Sequence, residues 1–312
     1  MTQAQIGLMI EGQNGLNWPR WKAILQTAED CNYQCVFRSD HFVNATGEDL
    51  DSLELWTSLT YAASYTSRLE FGPLVTPVTF RHPMLNIRYA AAIDDLSAGR
   101  LIYGLGAGWQ DREHRRFGIP FHDFPTRYEM LEEALEVTRT IFHSPEPVTF
   151  SGEYLQVENA VLLPRPSRAG GPPILIGGSG PKRTLPLVAK YADEWNAVFI
   201  AYNIYKERNE LLKQMLEEQG RIDSDVKRSL MTQVIYEKDD ASLNTRLEKQ
   251  GRSAHELIEQ GLIVGTGAQV VDQIGRWVEA GVQRFMLQWL DLDNLQGLED
   301  LAADVLPHFH HE

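Results

Sequence analysis

The chain has 312 residues, 43% of them hydrophobic, with 43 acidic against 29 basic residues and a formal net charge of −14. That apolar share builds a full-sized core, and the length suits one large α/β domain or two small ones. The acidic balance argues against nucleic acid and anionic membrane surfaces as partners, because both select basic faces, and no apolar run reaches membrane-spanning length.

Short apolar runs alternate with amphipathic stretches along the whole chain. The first strand is expected over Gln5–Ile10, ending at Glu11-Gly12-Gln13-Asn14, followed by a helix over 18–32. The second, Gln34–Ser39, runs into Asp40-His41-Phe42, and Asp51 is positioned to cap a helix over 51–66. The third, Leu69–Thr76, carries Pro73 and is closed by Pro77; a helix over 83–97 follows, with Gly99 as its terminal glycine. The fourth, Arg100–Gly106, opens into Ala107, Gly108, Trp109 and a polar segment, ahead of a helix over 126–143 that Thr126 and Glu129 introduce at capping-box spacing.

The stretch 144–172 breaks the rhythm: it is rich in proline and glycine and holds two short β-like pieces, Val148–Phe150 and Glu153–Val157. It reads as an insertion, because the alternation resumes with Pro173–Gly177, Glu194–Phe199, Leu230–Tyr236 and Arg284–Trp289. Helices are expected at 181–192, 203–219, 243–260, 268–280 and 294–305. Apolar runs without in/out alternation suit parallel strands buried on both faces. Strands and helices in this number predict a (β/α)8 TIM barrel, one domain over residues 1–312 with its insertion between the fourth helix and fifth strand. An open doubly wound sheet is the competing architecture.

In a barrel the site gathers at the C-terminal ends of the strands, which selects the candidates by position. His41 follows the second strand directly and can exchange a proton near neutral pH, with Asp40 either orienting it or capping the loop. Gly177, Gly178, Ser179 and Gly180, with Pro181 and Lys182 behind them, open a helix where free amides suit a phosphate; the spacing is neither a Walker loop nor a Rossmann fingerprint. Trp109 either walls a pocket or is a half-buried structural tryptophan. With Trp18, Phe42 and Phe199 it would make an apolar rim suited to an organic molecule. Cys31 and Cys35 read as small core residues, and no second pair completes a metal pattern. His308, His310 and His311 read as a tail. The opening MTQAQIGLMI lacks the basic start of a secretory signal, so a cytoplasmic location is expected.

With these residues in view, the chain resembles the bacterial luciferase-like monooxygenase superfamily, and most closely its deazaflavin (coenzyme F420)-dependent oxidoreductase branch. The likeness is carried by IGLMIEGQNGLNWPRW, by SDHF at Ser39–Phe42, by LEFGPLVTPVTFRHP and by LSAGRLIYGLGAGWQDREHRRFGIPF. It continues through RYEMLEEALEVTRTIF and PPILIGGSGPKRTLPLVAKYADEWN. The resemblance implies a barrel with coenzyme F420 in its C-terminal mouth. His41 would be the acid/base residue, and Asp40, Pro73, Leu74, Thr76, Gly106, Ala107, Gly108, Gly177, Gly178, Ser179 and Gly180 would surround the cofactor. Trp109, Phe42 and Phe199 would line the substrate pocket.

A non-prolyl cis peptide at the end of the third strand is also implied, matching Pro73–Leu74 here. The implied reaction is hydride transfer between the deazaflavin and a small organic substrate, with homodimers common in the family. Two alternatives are an FMN-dependent monooxygenase fed reduced flavin by a separate reductase, and a non-catalytic flavin-binding barrel. Sugar-phosphate dehydrogenases of this branch carry a catalytic glutamate where this chain has Trp109, which counts against a sugar phosphate as substrate.

Overall fold

A computed structural model describes residues 3–309; of the expected tail histidines, His308 ends a short 3-10 turn over Leu306–His308, and His310 and His311 lie outside the described residues. The chain begins with β1 (Gln5–Ile10), α1 (Trp18–Asp30), β2 (Cys35–Arg38), α2 (Leu55–Tyr65), β3 (Glu70–Pro73), β4 (Thr76–Pro77) and α3 (Pro83–Leu96). Next come β5 (Tyr103–Gly106), α4 (Asp111–Phe117), α5 (Phe124–His143), β6 (Val148–Ser151), β7 (Gln156–Ala160), β8 (Ile174–Gly177) and α6 (Thr184–Tyr191). The chain then runs through β9 (Glu194–Val198), α7 (Tyr202–Glu218), β10 (Lys227–Tyr236), α8 (Asp240–Gln250), α9 (Ala254–Glu259), β11 (Ile263–Gly265), α10 (Gly267–Glu279), β12 (Arg284–Gln288) and α11 (Leu295–Val305).

The parallel strands run in the order β3-β2-β1-β12-β10-β9-β8-β5-β4. The ring closes between β3 and the chain entering β5, where Phe71 N donates to Arg100 O (3.1 Å) and Ile102 N to Phe71 O (2.9 Å). Among the described residues this makes eight strand positions, the third split into β3 and β4, and the expected barrel is observed. Between α5 and β8, β6 and β7 form an antiparallel ribbon.

Helix faces explain the outer layer. On α1, Trp21, Ile24, Leu25 and Ala28 are buried at helical spacing, and the Asn17 side chain caps the helix through Arg20 N at 3.2 Å. Inside the ring, Met9, Phe37, Leu74, Ile102, Leu175 and Met286 pack together. Cys35 joins them, and burial pushes its thiol up to about 12, so it stays a protonated core residue.

The foot of the barrel is tied by charge. Buried Arg284 pairs with Glu70 at 2.5 Å and with Glu194 at 3.1 Å, and donates to Gln5 at 2.8 Å. Gln5 also accepts from Lys227 at 3.1 Å. Each of these residues begins its strand, so the network joins β1, β3, β9, β10 and β12 at the end opposite the mouth.

Several boundaries differ from expectation for local reasons. Asp51 does not cap α2: its carbonyl accepts from Gly15 N (3.1 Å), residues 50–54 stay outside the helix, and Glu54 caps through Thr57 N at 2.7 Å. The cap of α5 is Asp123 rather than Thr126, with Pro125 in the first turn. The single helix expected over 243–260 is two: Gly251, in the left-handed region, ends α8, and a capping box of Ser253 and Glu256 starts α9.

Candidate active site

At the C-terminal mouth lies a cavity of about 490 Å³. Its floor is the break between β3 and β4. Leu74 N still donates to Arg38 O at 2.8 Å, so pairing with β2 continues through Leu74 and the chain leaves the ladder only afterwards. The non-prolyl cis bond is Leu74–Val75, one residue beyond the expected Pro73–Leu74. Val75 projects towards the glycines of the neighbouring strands. A Cβ on Gly106 would stand 2.5 Å from Val75 Cγ2, and one on Gly177 would stand 3.1 Å from Val75 Cγ1. These glycines first make room for the protein's own valine, a packing reason that strand-end glycines do not reveal in sequence.

Of the expected cofactor residues, Leu74, Gly106, Ala107, Gly108, Gly177 and Gly178 line the cavity. Asp40, Pro73, Thr76, Ser179 and Gly180 are not among its lining residues. Asp40 does not orient His41. It accepts from Thr76 Oγ1 at 2.7 Å and pairs with Arg81 at 2.5 Å, while Arg81 also reaches Glu54 at 2.8 Å. Ser179 Oγ is buried without a hydrogen-bond partner, as is Asn196 Oδ1, whose residue lines the cavity. The turn 177–180 leads into α6 through Thr184, whose hydroxyl meets Tyr128 Oη at 2.9 Å.

His41 lines the cavity, and its partner comes from α4. Its Nδ1 lies 2.9 Å from Glu113 Oε1, and the other oxygen of Glu113 accepts from Phe42 N at 3.0 Å. Burial pulls the imidazole down, but the hydrogen bond and charge of Glu113, with Glu11 and Asp40 behind, outweigh it and raise His41 above its ordinary value. Sequence reading missed Glu113 because residues 110–118 read as a polar segment. The signal was an acidic first turn (Asp111, Glu113), a basic last turn (Arg115, Arg116) and Gly118 at the end, where φ is +67°. Arg112 and Arg116 dock this helix on Asp49.

The aromatic residues divide. Trp109 is 64% exposed at the rim and meets His41 edge-on at 5.6 Å. Phe199 lines the cavity, at a positive φ of 41°. Phe42 turns away and stacks on Phe80 at 4.5 Å, and Trp18 packs on Tyr61 at 5.6 Å; neither lines the cavity. Phe124, Arg127 and Tyr128 of α5 were not foreseen in the lining. Neighbouring His114 is structural: its ring nitrogens bond Gln110 O and Thr79 Oγ1, both at 2.7 Å.

A cleft on the C-terminal face of a parallel barrel suits many chemistries, so the fold alone does not choose one. The model of the luciferase-like monooxygenase family matches residues 1–254. The chain belongs to the luciferase-like monooxygenase family. Within reach of this family member is an F420-dependent glucose-6-phosphate dehydrogenase of Kineococcus radiotolerans, 26% identical over 90% of each chain. An F420-dependent hydroxymycolic acid dehydrogenase of Mycobacterium tuberculosis is 30% identical over 57% of this chain and 48% of that protein. Among solved structures, an F420-dependent secondary alcohol dehydrogenase in complex with an F420-acetone adduct superposes with a TM-score of 0.84. It covers 99% of this chain and all of the other at 21% identity, a likeness of fold.

Proposed function

We propose that this protein is a coenzyme F420-dependent oxidoreductase that moves a hydride between the deazaflavin and a small, uncharged organic substrate. The observation that carries the reading is the placement of His41, which lines the mouth cavity beside Trp109 with its Nδ1 already bonded. That arrangement occurs in a chain aligned with an F420-dependent dehydrogenase over nine-tenths of both proteins.

The residues present fit such a group. A flat ring system suits the apolar floor of Leu74 and Val75, with the backbone of Gly106, Ala107 and Gly108 beside it in the lining. The partnerless Ser179 hydroxyl and the amides of the 177–180 turn are the donors an anionic tail requires. When bound, the deazaflavin supplies the hydride acceptor or donor. The protein's own work is to orient the substrate against Trp109 and Phe199, to exclude water, and to take or give a proton at His41 Nε2.

The lining also bears on the substrate. Among the described residues Arg127 is the lining arginine, and its guanidinium is committed to Gly108 O and His122 O and lies over Phe121. Glu11 adds a carboxylate to the lining. Among the described residues the lining offers a sugar phosphate no free arginine or lysine, whereas an apolar alcohol or carbonyl compound finds Trp109, Phe124 and Phe199. Homodimerisation belongs to the same reading: Tyr65 on α2 and Leu85 and Tyr89 on α3 are exposed large apolar side chains on the helices that follow the second and third strands.

The test is titration of the purified protein with F420 and, separately, with FMN, followed by turnover of F420 with apolar alcohols and with glucose 6-phosphate. Deazaflavin binding and reduction by an apolar alcohol are expected. Tight FMN binding with no deazaflavin binding overturns the proposal.

A further inference from the structure

We propose that Glu113 is a positioning residue that fixes the tautomer of His41, keeping Nε2 as the proton-exchanging atom that faces the cavity. The catalytic consequence rests on the function proposed above; the tautomer itself does not.

A carboxylate only accepts hydrogen bonds, so with Glu113 as carboxylate the 2.9 Å contact with its Oε1 makes Nδ1 the donor. Neutral His41 then carries its lone pair on Nε2. Glu113 cannot swing away, because its second oxygen accepts from Phe42 N at 3.0 Å and its side chain is 1% exposed. The carboxylate is thus held by the backbone of the loop whose histidine it orients. Helix α4 is held in turn through Arg112 and Arg116 on Asp49, and through Gln110 Nε2 on Val43 O at 2.8 Å.

The other charges facing His41 are Glu11, at the end of β1, and Asp40, its neighbour in sequence. Arg81 neutralises Asp40, and Glu11 is occupied by Gln13 at 2.9 Å and Gln288 at 2.7 Å. Glu113 is therefore the carboxylate in direct contact, and the one that decides which nitrogen holds the proton. In alcohol oxidation His41 Nε2 would take the substrate's hydroxyl proton, while a bound deazaflavin would supply the acceptor for the hydride of the adjacent C–H bond, leaving a carbonyl; in the reverse direction Nε2 would return the proton.

A purely structural Glu113 would serve only to hold Phe42 N, and Glu113→Gln separates the two roles. Glutamine can still accept from Phe42 N, but it turns an NH2 group towards Nδ1 and so shifts the ring proton to Nε2. The experiment is 15N-imidazole NMR of the full chain without cofactor, for the parent and for Glu113→Gln, across pH. The parent is expected to show the Nδ1–H tautomer, and the variant the Nε2–H tautomer with a lower titration midpoint. In F420-linked alcohol oxidation the variant should lose roughly 100-fold or more in kcat, with KM little changed.

A parent in the Nε2–H form, a variant with unchanged tautomer and midpoint, or a folded variant with parental kcat overturns the inference. Should Glu113→Gln fail to fold, the tautomer of the parent still decides. A parent that holds the Nδ1–H form but never turns over F420 refutes the proposed function alone.

Discussion

Val75 fills the space that a side chain at Gly106 would need, its Cγ2 lying 2.5 Å from where a Cβ would stand. The floor of the cavity and the glycine end of β5 are therefore one packing unit. Gly106→Ala forces valine and strand apart and should destabilise the protein by about 1–3 kcal/mol, the usual cost of overpacking. Adding Val75→Ala should recover most of that loss. A double-mutant cycle of denaturant midpoints checks it; additive losses would show that the two positions do not share the space.

Ser179 offers a hydroxyl that the protein itself does not use. Ser179→Ala should leave the stability of the cofactor-free protein unchanged or slightly higher, because a buried unpaired polar group is removed. It should weaken F420 binding by about 1 kcal/mol, roughly fivefold, the net worth of one ordinary hydrogen bond. Thermal melts with and without F420, together with a binding titration, read both effects.

Asp40 and Arg81 form a largely buried pair outside the cavity lining. Arg81→Ala leaves Asp40 with the Thr76 hydroxyl, and breaking such a pair from one side costs about 3–5 kcal/mol. The lower end is expected because the arginine keeps some access to water. Urea unfolding should show a lower midpoint at unchanged slope. Since Asp40 does not touch His41, the titration of His41 should move far less in this variant than in Glu113→Gln.

His41 contributes to stability in a defined pH window. Its folded value is raised, so its contribution is fully present below about pH 6.5, the ordinary histidine value, and is lost as pH rises through the folded value. His41→Gln should remove this component. Melting temperatures of parent and variant should converge towards high pH and separate in the parent's favour below about pH 6.5. A gap that widens with rising pH would contradict the assigned direction.

The barrel was legible in the sequence because buried parallel strands announce themselves as unbroken apolar runs such as Ile174–Ile176 and Phe285–Leu287. His41, Trp109 and the glycines 106–108 and 177–178 were legible too, since strand ends fix where the mouth must be. Tertiary choices were not. Asp40 sits beside His41 in sequence, yet it turns to Arg81, which lies 41 positions on, where a guanidinium offers a charged fork. Glu113 meets His41 across 72 positions, a pairing that only the docking of α4 creates. Phe42 follows His41 directly but joins Phe80 and Phe117 instead of the rim.

The salt-bridged foot around Arg284 separates two tasks that small domains often confuse. Because five of the eight staves are clamped at the end farthest from the chemistry, loops at the opposite end should be exchangeable at little cost to the ring, and a change of substrate preference need not cost the integrity of the fold.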